Sequence, residues 1–176
     1  MTTENNEVAT EGIYLPEKLQ RLLSVLWNSK EEPKTESALL YVVLGAFAGL
    51  RPAEAVALEW KQVDFARQEI SLTPPVARIA RVIPFMPNLP VFLAPFKGRN
   101  GLVVRHRKVA NILRNECVQA GVAHIANGLR RSYATYRLAE VALEVVRAEM
   151  GLDATAQNEW KSVSPEEAAK YQAIVP

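Results

Sequence analysis

An arginine set in a tight turn is the first residue of this chain whose surroundings could do chemistry. In Ala48-Gly49-Leu50-Arg51-Pro52-Ala53-Glu54 an apolar segment stops at a glycine, and Pro52 opens a new helix. The missing N–H of proline is no loss at that position, and Glu54 favours the positive end of the helix dipole. Arg51 therefore stands beside helix-start N–H groups, a combination suited to holding a phosphate or another anion. An ion pair with Glu54 or Glu59 is the structural alternative, and spacing alone favours neither. A second basic feature is a stretch. Lys97 to Asn115 carries Lys97, Arg99, Arg105, Arg107, Lys108 and Arg114 with no acid, whereas residues 1–11 carry Glu4, Glu7 and Glu11 and no base. Such segregation suits a polyanion, and it equally describes a solvated face. The two histidines and one cysteine fall at no ligand spacing, so no metal and no cofactor is expected. Cys117 lies on an apolar helix face and reads as core.

The elements that must position Arg51 flank it. Leu39 to Ala48 has no polar face, which predicts a helix buried on all sides but too short to span a membrane. After the turn, Val56 and Trp60, with Ala53 and Ala57 beside them, give the second helix a core face. Upstream, Leu15-Pro16-Glu17 opens a helix through Leu19, Leu22, Leu23 and Leu26 to about Trp27, followed by a polar loop from Asn28 to Thr35. Downstream, Glu69-Ile70-Ser71-Leu72 and Arg81-Val82-Ile83-Pro84-Phe85 predict a small antiparallel hairpin across a proline-rich loop. Asn88 to Phe96 reads as a short helix. Val104 to Ala120 reads as a longer one with Val109, Ile112, Leu113, Cys117 and Ala120 inward and Gly121 as its stop. Arg105, Arg107, Lys108 and Arg114 would then lie at its start and on its outer surface. Leu143 to Met150 predicts a helix stopped by Gly151. In Ser164-Pro165-Glu166-Glu167 a cap serine, a proline and a glutamate predict a last helix to about Ala173, with Ala168, Ala169 and Tyr171 on its apolar side.

Composition bounds the answer without choosing a function. At 176 residues, with 49% hydrophobic content, one well-buried globular domain is expected. A net charge of +2 and a pI near 8.7 say little about partners by themselves. There is no secretory segment and no long apolar run, so the expectation is a cytoplasmic protein in a reducing compartment, with no membrane partner.

Ala48 to Glu54, followed by Leu58-Glu59-Trp60-Lys61-Gln62-Val63-Asp64, resembles the first arginine motif of the tyrosine recombinases, the phage integrase family. That motif is a small-Gly-Leu-Arg-x-x-Glu turn, a leucine and a Trp-x-x-(Val/Ile)-Asp ending. Later segments match in the expected order, so the resemblance runs from about Gly12 to Pro176. Asn127-Gly128-Leu129-Arg130-Arg131-Ser132-Tyr133-Ala134-Thr135-Tyr136 resembles the family's His-x-x-Arg-His-(Ser/Thr)-(Phe/Tyr)-Ala-(Thr/Ser) helix, with Arg130 on the second catalytic arginine. The resemblance implies a mainly α fold with a small antiparallel β-hairpin or sheet (α+β), the DNA breaking-rejoining fold, over residues 12–176. Residues 1–11 would be a disordered tail, and there is no room for the family's N-terminal core-binding clamp. It also implies that Arg51 and Arg130 converge on one phosphate of double-stranded DNA, with Arg131, Arg78 and Arg81 as further phosphate contacts. Arg105, Arg107 and Lys108 would form a basic edge along the backbone.

The same comparison marks what is missing. Val76 and Ala77 occupy the positions of the family's hairpin lysine, a few residues before Arg81-Val82-Ile83-Pro84, and Arg78 is a poor proton donor in its place. Asn127 stands at the first histidine of the helix motif and Arg131 at the residue after the arginine. Glu149-Met150-Gly151-Leu152 resembles the Glu-Leu-Gly-His segment with Leu152 for histidine. Where the nucleophilic tyrosine belongs, Gln157-Asn158-Glu159-Trp160-Lys161 offers an indole. The expectation is a DNA-binding relative of the integrases with a two-arginine phosphate pocket and no strand cleavage. Two alternatives stand beside it: an active recombinase using a displaced Tyr171 or Tyr136, and a protein-interaction module that has left DNA. Self-association, or pairing with an active recombinase, would run through the C-terminal helix.

Overall fold

Leucines at helical spacing make helix α1 (Pro16–Asn28), whose Leu19, Leu22, Leu23 and Leu26 are all buried. They pack on α2 (Pro33–Ala48), the axis of the fold. The computed structural model describes residues 12–153 and 160–176, so the acidic tail 1–11 and Gln157-Asn158-Glu159 lie outside the described residues. From Ala38 to Ala48 only Tyr41 keeps partial exposure, as a segment without a polar face requires. Helix α2 starts at Pro33, inside the run expected to be loop, because proline fits the first helical position. It ends at Gly49 in the left-handed conformation, φ +62°.

Helix α3 (Pro52–Ala57) is shorter than the sequence suggested. The chain turns extended at Leu58, and Trp60 belongs to a separate single 3-10 turn, Trp60–Gln62, where it stacks near Phe65 and Phe96. The inward residues of α3 are consequently Glu54 and Ala55; Ala53 is exposed, and Val56 and Ala57 are half-buried. Next come β1 (Val63–Asp64), β2 (Glu69–Leu72) and β3 (Arg81–Pro84), an antiparallel sheet in the order β1-β2-β3. Ile70 pairs with Ile83 and both are buried, so alternation sets which face meets the core.

Helix α4 (Leu89–Leu93) runs into a 3-10 turn, Ala94–Phe96. Helix α5 (Val109–Gln119) then begins five residues later than the expected start at Val104. The preceding backbone is engaged elsewhere. Trp60 donates to the Gly101 carbonyl at 2.9 Å, Val103 to Leu58 at 2.8 Å, and the His106 N–H to Ser37 Oγ at 3.2 Å. Arg105, Arg107 and Lys108 thus sit on an irregular segment and not on the helix. The expected inward set of α5 holds, and Gly121, at φ +61°, follows its end.

Helices α6 (Gly128–Arg137) and α7 (Leu143–Glu149) complete the body, α6 packing along α2 and α7 against β3. Helix α8 (Pro165–Gln172) is capped by Ser164, whose Oγ accepts from the Glu167 N–H at 3.2 Å. It docks on its own chain: Tyr171 is fully buried, donates to the Ala46 carbonyl at 2.6 Å and stacks on Tyr136 at 3.9 Å. Ala169, expected on the apolar side, is exposed; Ala168 and Tyr171 carry the contact. Among the described residues no helix is long and apolar enough to cross a membrane, and no group of three or more His, Cys, Asp and Glu is placed to hold a metal.

Gly49 is where backbone and packing meet. A Cβ there would stand 2.4 Å from Tyr133 Cδ1 on α6, whereas at Gly98, also at positive φ, a Cβ would meet nothing within 4 Å. Gly98→Ala is expected to cost only the left-handed backbone term, about 1–2 kcal/mol. Gly49→Ala adds an overpacking term and is expected to cost about 3 kcal/mol or more, read as a lower urea midpoint at unchanged m. Equal losses for the two would refute the contact.

Candidate functional site

The α2–α3 turn carries Arg51, the first turn of α6 carries Arg130, β3 carries Arg81, and the C-terminal end of α7 faces all three. Its last carbonyls each take one guanidinium. Arg81 Nε donates to Glu149 O at 2.7 Å, Arg130 Nη2 to Met150 O at 2.7 Å, and Arg51 Nη2 to Gly151 O at 3.0 Å. Helix C-termini present unsatisfied carbonyls at the negative end of the dipole, so cations gather there. Arg130 Nη1 also donates to the Gly49 carbonyl, tying α6 to the end of α2.

Glu54 is the counter-charge. Its Oε1 accepts from Arg51 Nη1 at 3.0 Å and Arg81 Nη1 at 3.0 Å. Its Oε2 accepts from Arg81 Nη2 at 2.8 Å and the Arg51 backbone N–H at 2.8 Å. Burial works to raise this carboxyl, but the hydrogen bonds from Arg81 and Arg51 outweigh it and hold the group below its ordinary value. Arg130 has the opposite problem: burial, and then the neighbouring positive charge of Arg51, pull its guanidinium down to about 10. It stays protonated at neutral pH with part of its charge uncompensated.

A guanidinium has five N–H donors, so Arg51 and Arg130 both retain donors after these bonds. They line one surface cleft together with Pro52, Ala53, Asn127, Arg131, Met150 and Trp160. The cleft therefore unites Arg51, Arg130, Arg131, Asn127 and Trp160 from the sequence-predicted set. Arg131 is exposed, and Asn127 holds a left-handed φ of +57° as α6 begins.

Others fall elsewhere. Arg81 is turned inward, its side chain only 5% exposed, and it stands behind the cleft as the partner of Glu54. Arg78 is exposed in the β2–β3 loop, beside buried Ala77 and half-buried Val76, and does not line the cleft. Leu152 packs against the core. Arg105 Nη2 bonds Glu36 Oε1 at 2.6 Å and Arg99 Nη1 bonds Glu36 Oε2 at 2.7 Å, so a buried acid at the start of α2 holds two members of the basic stretch, while Arg107 and Lys108 are exposed. The two tyrosines considered as displaced nucleophiles point into the core. Tyr136 Oη donates to Tyr14 O at 3.3 Å and Tyr171 Oη to Ala46 O, and burial raises both phenols. Neither reaches the cleft.

The carbonyls at the end of α7 were not foreseen as part of the site. The signal for them was present, since a helix stopped by Gly151 leaves acceptors in need of donors. Glu36 gave no such signal, because its partners lie far along the chain.

Because the Glu54 carboxyl is held low, the stability it contributes is fully present above the unfolded-state value near ~4.3 and is lost as pH falls through the folded value. Glu54→Gln leaves the buried Arg81 without its carboxylate, at a cost of about 3–5 kcal/mol near neutral pH. Denaturation midpoints followed downward from about pH 6 should fall less steeply in this variant than in the parent chain. Parallel acid limbs would show that Glu54 does not govern this window.

Solved structures share this architecture. The chain superposes on the crystal structure of XerA recombinase with a TM-score of 0.68 at 15% identity, over 90% of this chain and 63% of that one. It superposes on the integrase from mycobacterium phage Brujita with a TM-score of 0.59 at 19% identity, over 89% of this chain and 62% of that one. It thus spans a little under two thirds of the length of either. No protein-family model and no curated protein sequence matches it. With its helices around a small antiparallel sheet, the chain has the fold of the tyrosine recombinase and phage integrase catalytic domains.

Proposed function

We propose that this chain binds double-stranded DNA through the Arg51–Arg130 cleft and does not cleave it. The observation that carries the reading is one cleft holding two guanidiniums aimed by backbone carbonyls, with an indole as its aromatic group. Donors fixed before an anion arrives need little reorganisation to bind it. A phosphate between Arg51 and Arg130 also relieves the repulsion that helps hold Arg130 down. Arg131 in the cleft supplies charge for a neighbouring phosphate. The architecture shared with a recombinase and an integrase fits a DNA partner.

Cleavage by nucleophilic attack needs an activated oxygen and a proton donor for the leaving group. Trp160 has no nucleophilic oxygen, and Tyr136 and Tyr171 are hydrogen-bonded in the core. Val76 and Ala77 supply no acid. What remains is an electrostatic clamp.

Affinity for a labelled duplex and a four-way junction, measured across a salt series, tests this. Binding should weaken with salt, and the Arg51→Ala, Arg130→Ala double variant should bind at least about tenfold more weakly with a salt slope shallower by about 2. Equal binding by the double variant, or none by the parent chain at low salt, overturns the DNA reading. A protein–DNA adduct that survives denaturant would overturn its non-cleaving half.

A further inference from the structure

Phosphate binding leaves part of the cleft unused. Trp160 and Pro52 give it an apolar wall beside the arginines, and no carboxylate lines it among the described residues. A phosphodiester seeks N–H donors and gains little from an indole face. Trp160 rests part of its surface on the core and keeps the remainder open to the cleft, whereas Trp60 is buried within the domain. A half-open indole next to a cluster of guanidiniums has the chemistry of a nucleotide site: donors for the phosphate, a flat apolar face for the base.

In uninterrupted duplex both faces of each base are covered by its stacked neighbours. An aromatic wall next to a phosphate clamp can therefore be used only by a base that has left the stack, at a strand end or in a single-stranded portion. Arg131 supports the same ligand. It is exposed on the cleft, its side chain makes no hydrogen bond or ion pair among the described residues, and its planar guanidinium can meet an adjoining phosphate or the edge of a splayed base.

We propose that Trp160 is a stacking wall for an unpaired nucleobase whose phosphate is held by Arg51 and Arg130, so that the cleft prefers a strand end or single-stranded DNA to continuous duplex. This rests on the DNA-phosphate reading above and adds the state of the strand. Three probes separate the two with the full chain: a 5′-phosphorylated single strand, the same strand with abasic nucleotides, and a duplex closed by hairpins at both ends.

Trp160→Ala should weaken binding of the single strand roughly tenfold and leave the abasic strand and closed duplex within about twofold. Trp160→Phe, which keeps a ring, should retain most of the affinity. Quenching of tryptophan emission on adding the single strand should be present in the parent chain and absent in Trp160→Phe, whose melting temperature reports that the fold is intact. Equal weakening of all three probes in Trp160→Ala overturns the proposal, as does no weakening of any. If the parent chain binds none of them, the phosphate reading has failed and this one with it. If the Arg51→Ala, Arg130→Ala variant loses all three while Trp160→Ala changes none, only the stacking wall is refuted.

Discussion

A carboxylate taken out of water must be met by charge, and the arrangement of this molecule around its cleft follows from how Glu54 is met. One carboxylate binds both Arg51, its neighbour in sequence, and Arg81, which arrives from the edge strand of the sheet. Removing a partner from such a pair leaves a buried ion uncompensated, which is why the arrangement tolerates little displacement. Arg81 in turn bonds the end of α7, so one carboxylate fixes α3, β3 and α7 relative to one another. Arg51 inherits its direction from that lattice of bonds.

The second constraint is steric. From Leu39 to Ala48 helix α2 has no polar face, so this part can exist only packed among other elements, and α6 approaches so closely at its end that Gly49 has no room for a side chain. The same glycine lends its carbonyl to Arg130. Core packing and cleft geometry are thereby coupled: whatever moves α6 along α2 also moves the second guanidinium. Two arginines from distant parts of the chain meet because each is held by backbone that the core has already positioned.

This division explains what could be read from sequence. Local signals were legible. Gly49 and Pro52 announced the turn, Gly121 and Gly151 the helix stops, Ser164 the cap, and the leucines of α1 its inward face. Each is decided by a residue and its near neighbours. Long-range pairings were not legible. The helix was expected to run from Val104, yet the segment before Val109 is drawn away by bonds to Leu58 and Trp60. Arg81 carries a charge and so reads as surface, but Glu54 makes its burial affordable. Glu36 takes two arginines from a stretch that looked uniformly free. The residues of the cleft were named from a resemblance; which of them face it and which stand behind it depended on partners that no spacing rule reveals.

The way the arginines are held also bears on how far such a site depends on the side chains around it. Arg51 and Arg130 are oriented by Glu54 and by the backbone carbonyls of Gly49, Met150 and Gly151. None of these anchors comes from Leu152, Trp160 or the hairpin positions Val76 and Ala77, where the chain departs from the recombinase pattern. A backbone carbonyl is present whatever side chain the position carries, so substitutions at the chemical positions leave the anchors of the clamp in place. An anion site built in this way does not depend on those positions, because the groups that aim the charge are separate from the groups that would move protons or attack phosphorus. On the proposed reading, the indole of Trp160 sets which form of a nucleic acid strand fits the cleft, and the anchors of the two arginines set how the phosphate is held.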